Sequence, residues 1–370
     1  MRTIIDRDVI VVGAGPAGAI CASYLSKAGL DVLMLDKETF PRDKVCGDMV
    51  REGIMKHIEA LDAVEALDKM SACIRKIKLI SSAGSEAVMP FECYAVPRFY
   101  LDKLLVDTAV SWGVEFRQGC TVTGFVKESG KICGVKVMQK GTESILRSRM
   151  VIRADGVVSE KADAAWIGQR AYFKGIKFEK SFSKEQYDAG GIFAFDDKEG
   201  PAYFWIIPVG PDGVKRGICN VGMIVKGRDS HKISNLEQRM ADWLESSEKI
   251  KTLFENAEQL SPWKFGRLVD VNEERRLVKD GAVFVGDAAA QIFPLLNDGL
   301  SAAADTAKAA ADAAIAAFDA EDFSEESLLA DYDNGLKKQT DDEVKLDKLL
   351  MESMHDPKVM DKIVEKLARK

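Results

Sequence analysis

No run of roughly 18 uncharged apolar residues occurs anywhere in the sequence. A helix that crosses a bilayer needs about that many, so no transmembrane segment is expected. The first residues lead almost directly into a strand, and no signal peptide is expected either. Histidine is scarce, at 3 residues (His57, His231 and His355), and none stands at metal-ligand spacing from a cysteine. The 7 cysteines, at 21, 46, 73, 93, 120, 133 and 219, contain no CxxC pair. That speaks against a zinc site and fits reduced thiols in a cytoplasmic enzyme. Positive charge is in deficit, with 52 Lys and Arg against 59 Asp and Glu and a net charge of -7. Such a surface offers no footprint for nucleic acid. Acids also outnumber bases over 319–370, which makes a polybasic membrane anchor there a poor reading. Only transient membrane contact stays open. Internal repeats and low-complexity linkers are missing as well.

What remains is ample for a globular enzyme, since 46% of 370 residues are hydrophobic. Length suggests two domains or one large one. Residues 8–12 form a short apolar run typical of a buried parallel strand. Glycines follow, then a helical stretch over 17–27, and a second strand over 31–35. This is a βαβ unit. A helix over 101–111 and strands over 114–126, 132–138 and 149–154 continue the pattern. Between about 166 and 263 the texture changes to aromatic strands (172–178, 192–195, 202–208, 217–225) broken by turns, with a covering helix near 232–245. A buried strand returns at 282–285, and an alanine-rich helix runs from about 299 to 318.

Gly13-Ala-Gly15-Pro-Ala-Gly18 lies between the first strand and the first helix. The first glycine makes the tight turn, the second lets backbone approach a pyrophosphate, and the third lets helix and strand pack closely. Phosphate then sits on free N–H groups at the helix N-terminus. Asp36 ends the second strand, where a carboxylate can hold a ribose. A dinucleotide is therefore expected. At the other end, Val283-Phe-Val-Gly-Asp287 leads through Pro294 to Gly299, where a helix begins. Asp287 can hold a polyol hydroxyl there. The helix dipole favours the negative charge of a reduced flavin. That combination selects FAD.

The segments Gly13–Gly18, Phe40–Asp48, Val96-Pro-Arg98, Ala154-Asp-Gly156 and Gly286-Asp287 resemble the geranylgeranyl reductase family, within the p-hydroxybenzoate-hydroxylase-like flavoproteins. Pro201–Pro208 is similar to that family's Y-x-W-x-F-P motif, with Ile207 in place of Phe. The resemblance spans about 8 to 318. It implies FAD contacts at Gly13, Gly15, Ala17, Gly18, Asp36 and Lys37. It further implies Cys46, Gly47, Arg98, Val122 (a backbone contact beside the adenine), Asp287, Gly299 and Leu300. One departure is Pro294-Leu-Leu-Asn297-Asp298-Gly299, where the family has a glycine-rich turn. Asn297 tolerates positive φ, while Asp298 would bring a carboxylate towards the flavin, to shift its potential or supply a proton. Cys46 is either a proton donor or substrate contact, or a small residue filling a tight turn. Tyr203, Trp205 and Ile207 share one strand face, and line an apolar substrate tunnel or form ordinary sheet core. Lys and Asp residues of the final helices read as a solvated face.

The expected architecture is α/β: a Rossmann-type FAD-binding domain (1–75, 98–165 and 264–320), an inserted antiparallel β-sheet substrate domain (76–97 and 166–263), and a C-terminal helical segment (321–370). The expected activity is reduction of a carbon–carbon double bond in a small apolar, isoprenoid-like substrate by reduced flavin. No second GxGxxG is present, so NAD(P)H binds transiently or another electron donor serves. Two other readings remain. The Tyr203–Pro208 segment also resembles the W-x-W-x-I-P motif of flavin-dependent halogenases, with monooxygenases as the related oxygen-using class. The same fold also serves binding proteins without redox work, as in Rab GDP-dissociation inhibitors.

Overall fold

A computed structural model describes residues 7–156, 164–178, 190–196, 202–226, 236–269, 277–289, 298–337 and 357–368. Pro201, Pro294, Asn297, His231 and His355 lie outside the described residues. The chain begins with β1 (Arg7–Val12), α1 (Pro16–Lys27), β2 (Val32–Leu35), β3 (Met49–Val50), α2 (Glu52–Ala60), α3 (Val64–Asp68), β4 (Ala72–Ile80) and β5 (Glu86–Ala95). It continues with α4 (Arg98–Ser111), β6 (Glu115–Arg117), β7 (Cys120–Glu128), β8 (Lys131–Gln139), β9 (Thr142–Arg153), β10 (Ala164–Lys174), β11 (Gly190–Asp196) and β12 (Ala202–Pro208). Next come α5 (Gly213–Arg216), β13 (Cys219–Lys226), α6 (Leu236–Leu244), α7 (Glu248–Phe254), β14 (Glu258–Gln259) and β15 (Lys264–Val269). Then follow β16 (Val278–Lys279), β17 (Ala282–Phe284), a 3-10 turn at Gly286–Ala289, α8 (Gly299–Ala320), α9 over 325–337 and α10 (Pro357–Ala368).

The first sheet has the order β16-β17-β9-β1-β2-β6, with β7 and β8 attached through β9. β1 runs parallel to both β2 and β9, which is why its apolar run is continuous rather than alternating. Val9 and Val11 face α1, α4 and α8, whereas Ile10 and Val12 face the antiparallel β7–β9 ribbon with Val135 and Val137. Alanines line the α1–α8 contact, among them Ala17, Ala19, Ala303 and Ala307. Small side chains let these two helix axes approach, so the turns leading into both converge.

The second sheet has the order β14-β10-β13-β12-β11-β4-β5-β3, with β15 beside β10. It is antiparallel except for the β11–β4 pair. All of β4, and β15 from Lys264, join it, so its hydrogen bonding extends a few residues past the sequence boundaries near 76 and 263. One face carries Phe193, Tyr203, Trp205 and Ile207; the other carries Ile192, Phe204 and Ile206. α6 and α7 cover the second face, where Phe204 stacks on Trp243 at 4.4 Å. On the first face α10 buries Met360 and Val364. Asp361 of α10 accepts from Ser82 Oγ at 3.3 Å and from the Ala83 amide at 3.2 Å. The helix is thus packed by an apolar stripe, and one of the acids expected in solvent is a tether.

Candidate functional site

The turn after β1 has the contacts that its glycines require. A Cβ at Gly13 would fall 2.3 Å from the Ala154 carbonyl oxygen, and one at Gly18 would fall 1.8 Å from the Gly13 oxygen. At Gly15 the nearest atom would be Arg42 Nη2, at 3.5 Å. Close protein packing accounts for the first and third glycines; the second borders free space. α1 starts after Gly15 with no side-chain cap, so its first amides keep their capacity for an anion. Asp36 accepts from the Ala14 amide at 2.7 Å and the Glu38 amide at 2.8 Å, which fixes its carboxylate beside the turn. Lys37 follows it, exposed. The Asp36 carbonyl accepts from the Cys120 amide at 2.8 Å, tying β7 and hence Val122 to the same edge. These residues fit a dinucleotide.

The far end of the chain closes on this turn. A Cβ at Gly286 would lie 3.0 Å from that of Ala17, and the Gly286 amide donates to Thr306 Oγ1 of α8 at 2.9 Å. Asp287 lies beside Gly299, 4.0 Å from the position of a Cβ there, and Lys44 reaches it at 3.5 Å. Leu300 is buried in the core. Asp298 caps α8, accepting from the Ser301 amide at 3.0 Å and Ser301 Oγ at 2.8 Å. Arg51 stands 3.5 Å from the same carboxylate.

Between these ends runs the loop that carries Cys46 and Gly47. Buried Arg98 forms an ion pair with Asp102 (Nη2–Oδ2 2.8 Å), and Arg42 Nη1 meets that carboxylate at 2.7 Å. The Arg98 guanidinium also lies against the Cys46 thiol. Burial pushes that thiol up, while Arg98 and the Asp48 amide pull the other way. The net shift is upward. Asp48 has no exposed surface and a left-handed backbone, φ 62°. Its carboxylate accepts from the Arg98 amide (3.2 Å), Tyr172 Oη (2.6 Å) and Asn220 Nδ2 (2.8 Å). Asn220 Nδ2 also donates to the Cys46 carbonyl at 2.7 Å, and Asn220 Oδ1 accepts from Trp205 Nε1 at 2.8 Å. Trp205 therefore leans on the loop, 4.0 Å from where a Gly47 Cβ would stand. Tyr203 is the next residue on the same face, its ring 6.0 Å from that of Trp205.

The FAD binding domain family matches residues 6–337. The chain is 30% identical, over 352 residues, to the digeranylgeranylglycerophospholipid reductase of Methanosarcina acetivorans, covering 90% of this chain and 81% of that protein. This chain belongs to the geranylgeranyl reductase family of FAD-dependent oxidoreductases. A geranylgeranyl bacteriochlorophyll reductase-like protein from Thermoplasma acidophilum has the same fold, with a TM-score of 0.83 at 20% identity over 98% of this chain and 92% of that one. A flavin-dependent brominase shares it at a TM-score of 0.75 and 23% identity, over 98% and 93%.

Within this geranylgeranyl reductase fold, sequence reasoning singled out Cys46, Gly47 and Arg98 but not the residues that hold them. Asp48 was visible only as the end of a motif. Asp102 offered an i,i+4 signal to Arg98. Tyr172, Asn220 and Arg170 gave no signal, because they come from β10 and β13, more than a hundred residues away. Arg170 has no exposed surface, pairs with Asp43 and lies 4.3 Å over the Tyr172 ring.

Proposed function

We propose that this FAD-dependent oxidoreductase saturates carbon–carbon double bonds in an isoprenoid chain, carried on a lipid. The observation that carries the reading is Trp205, which ends an apolar sheet face (Phe193, Tyr203, Ile207) directly against the Cys46–Gly47 loop. A wall of that kind suits a hydrocarbon, contributing area and not polar contacts.

In this reading Gly13, Gly15, Ala17 and Gly18 receive the pyrophosphate on the N-terminus of α1, and Asp36 with Lys37 takes the ribose side. Val122 would border the adenine. Arg98, Asp287, Gly299 and Leu300 hold the remainder of the cofactor. When bound, FAD would supply hydride chemistry at this site. Saturation also needs one proton, which Cys46 would give from Sγ in this reading. Burial keeps the thiol protonated. The thiolate left behind faces the Arg98 guanidinium and the Asp48 amide, and it recovers its proton from solvent. Asp298 acts as a positioning residue that sets the start of α8. NAD(P)H or a protein electron donor reloads the enzyme. Seven unpaired cysteines suit a reducing, cytoplasmic setting, from which the enzyme meets its lipid by transient membrane contact.

Oxygen-dependent halogenation is the alternative, favoured by Ile207 in the Tyr203–Pro208 segment. Anaerobic reduction followed by reoxidation tests both. Alkene-dependent reoxidation with a product two mass units heavier supports reductase chemistry. Reoxidation by oxygen alone, with a halogenated or hydroxylated product, overturns it.

A further inference from the structure

Asp48 has the features of a clamp. It sits between three elements that the sequence keeps apart: its own loop, the start of α4, and the sheet strands β10 and β13. Three donors from three directions converge on one carboxylate with no exposed surface. Two of those donors are themselves anchored. Asn220 is fixed by Trp205 and by the Cys46 carbonyl. Tyr172 is fixed beneath the Arg170 guanidinium. The backbone of Asp48 adopts φ 62°, which a residue other than glycine adopts at a cost of about 1 kcal/mol or more. A non-glycine residue held in this way points to a side chain that is needed.

We propose that Asp48 is a positioning residue that locks the Cys46–Gly47 turn against the substrate-side sheet. The proposal deepens the reductase reading, in which Cys46 gives the proton. It has a consequence that mere packing would not have. The carboxylate stands beside the thiol, so its charge opposes formation of the thiolate and retains the proton. Arg98 from α4 opposes it, and Arg170 on β10 partly neutralises Asp48, as do the Tyr172 and Asn220 donors. Asp43 draws part of the Arg170 charge and is itself met by Lys264 of β15 at 2.8 Å. Asp102 holds Arg98 in turn.

The test reads the thiol itself, without substrate. Wild type, Asp48→Asn and Tyr172→Phe are treated with iodoacetamide across pH 6–10, as apoprotein and with FAD, and Cys46 is followed by peptide mass spectrometry. Exposed Cys73 serves as the internal reference. In Asp48→Asn, alkylation of Cys46 at pH 8 is expected to rise about tenfold, equivalent to one pKa unit. Tyr172→Phe leaves the carboxylate but removes a donor that partly neutralises it, and is expected to move Cys46 in the opposite direction, lowering its alkylation by about twofold. Cys73 should not change. Unchanged Cys46 profiles in both variants, with FAD still bound, overturn the proposal, even if alkene reduction is confirmed. A shifted profile in an enzyme that halogenates instead would sustain the clamp and remove the reductase reading.

Discussion

Gly15 and Asp48 represent two ways in which a single residue serves this protein. Gly15 matters for the space beside it. Only Arg42 approaches its missing Cβ, so Gly15→Val should fold normally yet purify colourless, its side chain standing in the pyrophosphate path. A yellow Gly15→Val protein with full flavin content would remove the cofactor assignment. Asp48 matters for the charge it buries. Burial pushes its carboxyl up to about 6, against the pull of Tyr172, Arg170, Asn220 and the Arg98 amide. Its folded value is therefore above its unfolded one, and the folded state binds the proton more tightly. The resulting stability is complete below about pH 4 and is lost as pH rises through about 6, a change of about 3 kcal/mol. Asp48→Asn lacks this dependence. The stability difference, wild type minus variant, should fall by about 2 kcal/mol between pH 4.5 and 7 in urea titrations, the remainder being lost below pH 4.5. A flat difference would mean that the carboxyl titrates normally.

At the scale of elements, the strands and helices of the cofactor half could be read because each carries a local rule. β1 is a continuous apolar run, α1 follows a glycine turn, and α8 is alanine-rich and led by Gly299; that Asp298 caps it was not read from the sequence. The two-residue strand β3 carries no such rule, since it exists only through pairing with β5. α10 was half legible: its apolar spacing was plain, but the face it would cover was not. Met360 and Val364 share a cluster with Tyr203 and Trp205, so Val364→Asp should cost about 3 kcal/mol or more through an unpaired buried charge. The loss would appear as a lower thermal midpoint while FAD remains bound. On the same face, Trp205→Ala should leave the flavin bound and reducible by its donor. What should change is the rate of alkene-dependent reoxidation or the chain length accepted. If neither changes, Tyr203 and Trp205 are sheet core, the simpler of the two sequence readings. No periodicity could have revealed the Asp48–Tyr172–Asn220 cluster, because it depends on the docking of one sheet against the loop of another.

For the whole molecule, FAD is expected to bind non-covalently at about one per chain. A cofactor that binds only the folded state stabilises it by about 2.7 kcal/mol at a hundredfold excess over its Kd. Scanning calorimetry should therefore show a midpoint that rises with added FAD in wild type and stays fixed in Gly15→Val. The contact between Gly286 and Ala17 adds a constraint in time. One side of the cofactor cradle is made at the start of synthesis and the other some 270 residues later, which is roughly 15 to 50 seconds at ribosomal speeds. For that interval the nascent chain exposes an alanine-lined helix without its partner and a cradle too incomplete to keep its cofactor. FAD cannot guide the early folding of this enzyme. It can only seal a chain in which both sides of the cradle have been made.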